Sequence, residues 1–175
     1  MRLFVTSDTH GMLQSVRNIL KNIKNIDYII HLGDYYKDAE ALDKEFGIPT
    51  VYVYGNCDFG DKEKYEKIIE VAGKKILLTH GHKYYVKFEK SIIIEKAREY
   101  GVDAVFYGHT HVPLIYRDGD MLVLNPGSPS MPREGSSRTV SIVNIEDGII
   151  VPQLINIDDM EEYIGNKKSG TKFEF

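Results

Sequence analysis

Short apolar runs, rich in β-branched and aromatic residues, recur along the first two thirds of the chain at 3–6, 28–32, 50–54, 76–79 and 104–107. Runs this short and this apolar fit strands buried on both faces. Between the first two, Leu13, Val16, Ile19, Leu20 and Ile23 recur at three- and four-residue steps, the stripe of an amphipathic helix. Ala39, Leu42 and Phe46 repeat that pattern, and Gly47 followed by Pro49 supplies a stop. The first half therefore reads βαβαβ. Phe88, Ile92, Ala97 and Tyr100 predict another helix, ended by Gly101 and leading into the strand at 104–107.

The pattern then changes. Arg117-Asp118-Gly119-Asp120 and Glu146-Asp147-Gly148 are turn signals between alternating runs, so antiparallel hairpins are expected over 113–125 and 139–157, with a second sheet packed on the first. From Asp158 onward the chain is polar, with Gly165, Ser169 and Gly170, and reads as a short helix or a frayed tail. No repeat or interdomain linker interrupts it. The expected organisation is one domain over 1–157, with 158–175 a polar C-terminal extension of it.

Composition narrows the function classes. A chain of 175 residues buries roughly two thirds of its unfolded surface, enough for one core without staples. The single cysteine, Cys57, excludes an intramolecular disulfide and a thiolate zinc knot. The net charge is -4 and lysines alternate with glutamates, as over 61–67, so no basic stripe for long nucleic acid is expected. No apolar run approaches the ~18 residues of a membrane span. A cytoplasmic protein is expected, with a homodimer the base-rate oligomer.

The histidines change the picture. Each apolar strand is followed at once by polar groups: Asp8-Thr9-His10, Gly33-Asp34, Gly55-Asn56-Cys57-Asp58, His80-Gly81-His82 and Gly108-His109-Thr110-His111. In an open α/β sheet the strand C-termini converge on one edge, where ligands bind. The adjacent glycines permit tight turns or close backbone approach there. Two carboxylates, an amide oxygen and up to five imidazoles suit borderline divalent metals such as Mn, Fe, Ni or Zn. That is more than one ion uses, which argues for two ions about 3.5–4 Å apart with Asp34 as the bridging carboxylate. Two divalent ions against two carboxylates leave a net positive site, complementary to a phosphate ester, at which a metal-bound hydroxide would attack phosphorus without a covalent enzyme intermediate.

The ordered series from Asp8 to His111 resembles the calcineurin-like metallophosphoesterase superfamily. The small size, Gly55-Asn56-Cys57-Asp58 and Asn125-Pro126-Gly127-Ser128 resemble its compact bacterial and archaeal phosphodiesterases. The resemblance implies a four-layer α/β/β/α sandwich of two mixed sheets flanked by helices. It assigns one metal to Asp8, His10, Asp34 and His111, and the other to Asp34, Asn56, His80 and His109. Two divalent ions are expected, manganese first, with nickel, iron or zinc as alternatives. Asp34 and Asn56 would be the catalytic pair, with Cys57, His82, Gly127 and Ser128 near the substrate, a small phosphate ester.

Cys57 departs from the family pattern, which has there a histidine that protonates the leaving oxygen or orients the phosphate. A thiol is a weak donor, so leaving groups needing little protonation are expected to be favoured, or water or His82 delivers the proton. Blander readings stand beside these. Cys57 reads as a space-filler rather than a nucleophile, His31 as a structural or ligand-orienting residue, and Arg133 and Arg138 as solvated surface cations. The rival functions are a phosphomonoesterase or nuclease on the same metal core, a non-catalytic scaffold on the same fold, and a metal sensor.

Overall fold

The computed structural model of the chain describes residues 1–60 and 62–166. Ten strands and four helices follow one another as β1 (Arg2–Thr6), α1 (Gln14–Asn22), β2 (Tyr28–His31), α2 (Tyr36–Phe46), β3 (Thr50–Tyr52), β4 (Glu66–Val71), β5 (Lys74–Thr79), α3 (Ser91–Glu99), β6 (Ala104–Tyr107), β7 (Leu114–Asp118), β8 (Met121–Asn125), β9 (Thr139–Glu146), β10 (Ile149–Asn156) and α4 (Ile157–Asn166). They form two five-stranded sheets, ordered β10-β9-β1-β2-β3 and β4-β5-β6-β8-β7. Each contains a parallel trio, β1-β2-β3 along one edge of the first and β5-β6-β8 in the middle of the second, with antiparallel strands beside it.

Strand alternation builds the layers. Leu3 and Val5 of β1 face the other sheet, meeting Ile76 and Leu78 of β5 and Phe106 of β6 in the central core. The intervening Phe4 points outward, onto Val16, Ile19 and Leu20 of α1 and Leu42 of α2. Leu77 and Val105 point outward on the second sheet, onto Ile93 and Ala97 of α3. Because successive side chains leave a strand on opposite faces, a continuous apolar run feeds two cores at once. The result is the expected α/β/β/α sandwich.

Three expectations need adjustment. The hairpins do not share a sheet: β7-β8 completes the second, whereas β9 pairs antiparallel with β1 and extends the first. Phe88 is 88% exposed and precedes α3, whose buried stripe is Ile93 and Ala97. Strand β4 was not anticipated, because its burial is mixed and its turn to β5 puts Ala72 at φ 49° where Asn or Gly would be the signal. In the C-terminal extension, α4 lays Ile157 and Met160 into the outer core beside α1, while residues 167–175 lie outside the described residues.

Candidate metal centre

The loops after β1, β2, β3, β5 and β6 meet at one edge of the sandwich. Backbone hydrogen bonds join them: Asp8 N–H donates to the Gly33 carbonyl at 3.0 Å and Gly108 N–H to the His80 carbonyl at 3.2 Å. Side chains continue the joining, since Asp8 Oδ2 accepts the His109 N–H at 3.0 Å and Asp34 Oδ1 the Cys57 N–H at 2.9 Å. Two glycines make this approach possible. A β-carbon on Gly55 would lie 2.0 Å from Asp34 Oδ1, and one on Gly108 would lie 1.9 Å from Ser7 Oγ and 2.8 Å from Asp8 Oδ2.

Asp8, His10, Asp34 and His111 each point one ligand-type atom into a space where all four atoms lie within 4.8 Å of one another. His10 Nε2 is 3.7 Å from Asp34 Oδ2, and His111 Nε2 is 3.2 Å from Asp8 Oδ1. The second set converges beside it. His80 Nε2 stands 3.1 Å from Asn56 Oδ1, 3.4 Å from Asp34 Oδ1 and 3.2 Å from His109 Nδ1. Asp34 thus presents one oxygen to each set, and all seven sequence-expected ligands are brought together.

Hydrogen-bond logic fixes what two of these imidazoles can do. His80 Nδ1 donates to the Leu32 carbonyl at 2.8 Å and His111 Nδ1 to the Met131 carbonyl at 2.6 Å. A carbonyl oxygen only accepts, so those nitrogens carry protons and each neutral ring offers a lone pair at Nε2. At His80 that lone pair faces Asn56 Oδ1 and a carboxylate oxygen, an arrangement of acceptors that a cation between them would satisfy. Asp8 Oδ1 is fully buried with no hydrogen-bond donor aligned on it. The donor set therefore fits divalent metal ions.

Charge effects point the same way. Burial alone would raise the Asp8 carboxyl, but the His111 contact and the nearby His80 ring outweigh it and bring it to about 2. Burial, His80 and Lys87 lower His109 to about 4. His111 is raised: burial opposes its charge, but the Asp8 carboxylate beside it prevails. A proton on His111 Nε2 and a metal ion would thus compete for the same pair of atoms.

The backbone is strained where the ligands are. Asp8, His10, Asp34, His109 and His111 adopt φ of 55°, 49°, 58°, 68° and 61°, the left-handed region that side chains other than Gly, Asn and Asp avoid. Buried polar groups hold these loops in place. Gly33 N–H donates to His31 Nδ1 at 3.3 Å, so His31 Nε2 carries the proton and donates to Thr9 Oγ1 at 2.9 Å; Thr9 Oγ1 in turn donates to Asp38 Oδ2 at 2.6 Å. Asp38 Oδ2 also accepts the Gly11 N–H. His31 is thus an orienting residue, and burial lowers its pKa. Asp58 accepts the N–H groups of Tyr35, Tyr36 and Gly55, clamping the Asp34 loop to the Asn56 loop.

Asp38 was missed from the sequence because an acidic residue in a first helical turn reads as ordinary dipole compensation. The substrate-side residues divide. His82 stands with its ring centroid 5.4 Å from that of His80 and 6.0 Å from that of His109, lowered to about 4 by burial and His80, and its Nδ1 has no hydrogen-bond partner. Cys57 is exposed, and desolvation with the Asp34 carboxylate pushes its thiol up to about 11. Gly127 and Ser128, expected at the phosphate, are buried beneath the site. The Ser128 hydroxyl is committed to the Asp8 carbonyl and the Met131 N–H, so it supports the Asp8 loop instead of reaching outward. No helix among the described residues is long and apolar enough to cross a membrane.

Comparison with known proteins gives a consistent picture. Residues 1–148 match the calcineurin-like phosphoesterase superfamily domain. A probable metallophosphoesterase from Bacillus subtilis is 31% identical over 148 residues, which is 84% of this chain and 86% of that relative. A phosphodiesterase from Methanocaldococcus jannaschii is 30% identical over 150 residues, 73% of this chain and 83% of that relative. Among solved structures, a predicted phosphoesterase from Streptococcus pneumoniae superposes with a TM-score of 0.76 at 28% identity, covering 90% of each chain. The chain belongs to the calcineurin-like phosphoesterase superfamily.

Proposed function

We propose that the protein hydrolyses small phosphate esters, diesters in preference to monoesters, at a two-metal centre. The observation that carries this reading is the convergence of seven oxygen and nitrogen donors in two sets that share Asp34. Asp8, His10, Asp34 and His111 would hold one ion, and Asp34, Asn56, His80 and His109 the other. Bound there, the ions would supply positive charge for the phosphoryl oxygens and bring the pKa of a coordinated water towards neutrality, and manganese is the first metal to try.

The chain's own residues would do the rest. Asn56 is exposed, and its amide lies beside the scissile phosphate's place, able to hydrogen-bond a phosphoryl oxygen. His82, neutral above a pH of about 4, stands beside His80 and His109 with a buried, unpartnered ring nitrogen. Cys57, protonated at neutral pH, is a weak donor, so an ester with a good leaving group is the better substrate. The exposed aromatic side chains Tyr35, Phe59, Tyr85 and Phe88 stand in loops that carry or follow these residues, which favours an aryl or nucleobase substituent. The diester preference is supported by the phosphodiesterase of M. jannaschii among the relatives.

The test is hydrolysis of a bis-aryl phosphodiester and the matching aryl monoester by metal-stripped protein, with Mn, Ni, Fe, Zn or Mg added back. Metal-dependent turnover, faster on the diester and absent in Asp34→Asn, is expected. Binding of two ions with no turnover of either ester would instead favour the scaffold or sensor reading.

A further inference from the structure

A second cavity opens beside the candidate centre, between the loop that follows His80 and the segment around residue 133. Its volume is about 280 Å³, and Val86, Lys87, Lys90, Thr110, Arg133 and Glu134 are in its lining. This is below the ~300–1,000 Å³ of pockets that enclose whole drug-sized ligands, so it suits one group of a larger molecule. Three cations against one carboxylate leave it two positive charges in excess, on a chain whose net charge is -4.

Elsewhere Arg17, Lys74, Lys96, Arg98 and Arg138 lie against carboxylates. Among the described residues, Lys87, Lys90 and Arg133 have no such partner. The cavity also adjoins the metal centre. Thr110 lines it and lies between His109 and His111, and Arg133 N–H donates to the His111 carbonyl at 3.4 Å. Val86, which packs against the second sheet's outer core, gives it an apolar wall. An anion seated there would face three cations at once, two of them exposed, so its attraction to them would weaken as salt rises.

We infer that this cavity is a subsite for a second phosphate group of the substrate, so that the preferred diesters carry a further phosphate besides the scissile one. The inference rests on the phosphoesterase reading above for the place of the scissile phosphate. A dinucleotide with a terminal phosphate and a sugar diester with one share this chemistry, and a bisphosphate probes both places at once.

The experiment separates the two claims. Calorimetric binding of thymidine 3′,5′-bisphosphate and thymidine 5′-phosphate to the manganese-loaded full chain reads the subsite without requiring turnover. Bis-aryl diester hydrolysis reads the metal centre alone. The bisphosphate is expected to bind about 10–100-fold tighter, as one to two charge-assisted hydrogen bonds would give. Lys90→Ala with Arg133→Ala should remove that advantage while changing bis-aryl turnover by less than about twofold. Ribose bisphosphate against ribose 5-phosphate in the same assay shows whether the nucleobase matters. Equal binding of bisphosphate and monophosphate, or an advantage that survives the double substitution, would overturn the subsite whatever the bis-aryl result.

Discussion

The two sheets contribute unequally to the candidate metal centre. Loops of the β1-β2-β3 trio supply every oxygen donor, Asp8, Asp34 and Asn56, together with His10. Loops of the β5-β6 pair supply His80, His109 and His111, all imidazoles. The first sheet alone brings the anionic charge that offsets a dication, and the second brings neutral, directional lone pairs. Neither half is a site. Only the packing of Leu3, Val5 and Ile30 against Ile76, Leu78 and Phe106 brings them to one edge, so occupancy of the centre reports on sheet-to-sheet packing.

That division can be broken deliberately. The largest effect is expected from the first sheet: Asp34→Asn removes the carboxylate that both donor sets share and should lower diester turnover by about a thousandfold or more, about 4 kcal/mol of activation free energy. His111→Ala, its counterpart on the second sheet, should cost less, because three donors of its set remain; steady-state kinetics with excess metal would show the order. Equal losses would sink the asymmetry. Metal removal acts on both halves. A chelator should lower the thermal midpoint, since ions at a hundredfold their Kd add about 2.7 kcal/mol per site. A melt unchanged by chelation would mean that no ion binds the folded chain in preference to the unfolded one.

Smaller effects sharpen the picture. Thr9→Val cuts the chain from His31 to Asp38 while leaving every ligand in place, and should weaken metal affinity by about 10–100-fold on titration. Cys57→His should raise hydrolysis of an alkyl diester by about tenfold while barely altering an aryl diester. The last is a matter of pH. Burial depresses His31, so below about 6.5 the unfolded chain takes up the proton more readily, and metal-free stability falls as pH drops from there. The contribution is at most about 1.36 kcal/mol per pH unit. His31→Gln should flatten that acid limb in denaturant titrations, with no change above pH 7.

The seven converging donors were legible because each sits directly after an apolar strand, and strand ends are where a parallel sheet places its chemistry. The same runs revealed the buried strands, since stretches such as 76–79 are apolar on both faces, whereas the four layers followed from the family resemblance. Pairing partners were not legible: nothing local to 139–157 states that β9 lies against β1, a contact between residues more than 130 positions apart. Nor was the role of Ser128 readable, because a serine after Pro-Gly looks alike whether its hydroxyl faces solvent or a buried carbonyl. Lys87, Lys90 and Arg133 look like surface charge in sequence, and only the fold sets them around one cavity.

Five ligand residues held in left-handed backbone have a consequence for how such a chain changes over generations. At the three histidines this conformation costs on the order of 1 kcal/mol that a glycine would recover. Were the candidate site to fall out of use, drift would therefore favour glycine at these positions, and the protein would become sturdier as it lost those side chains. A lineage that keeps the strained residues together bears a continuing thermodynamic burden, which a use for them would offset.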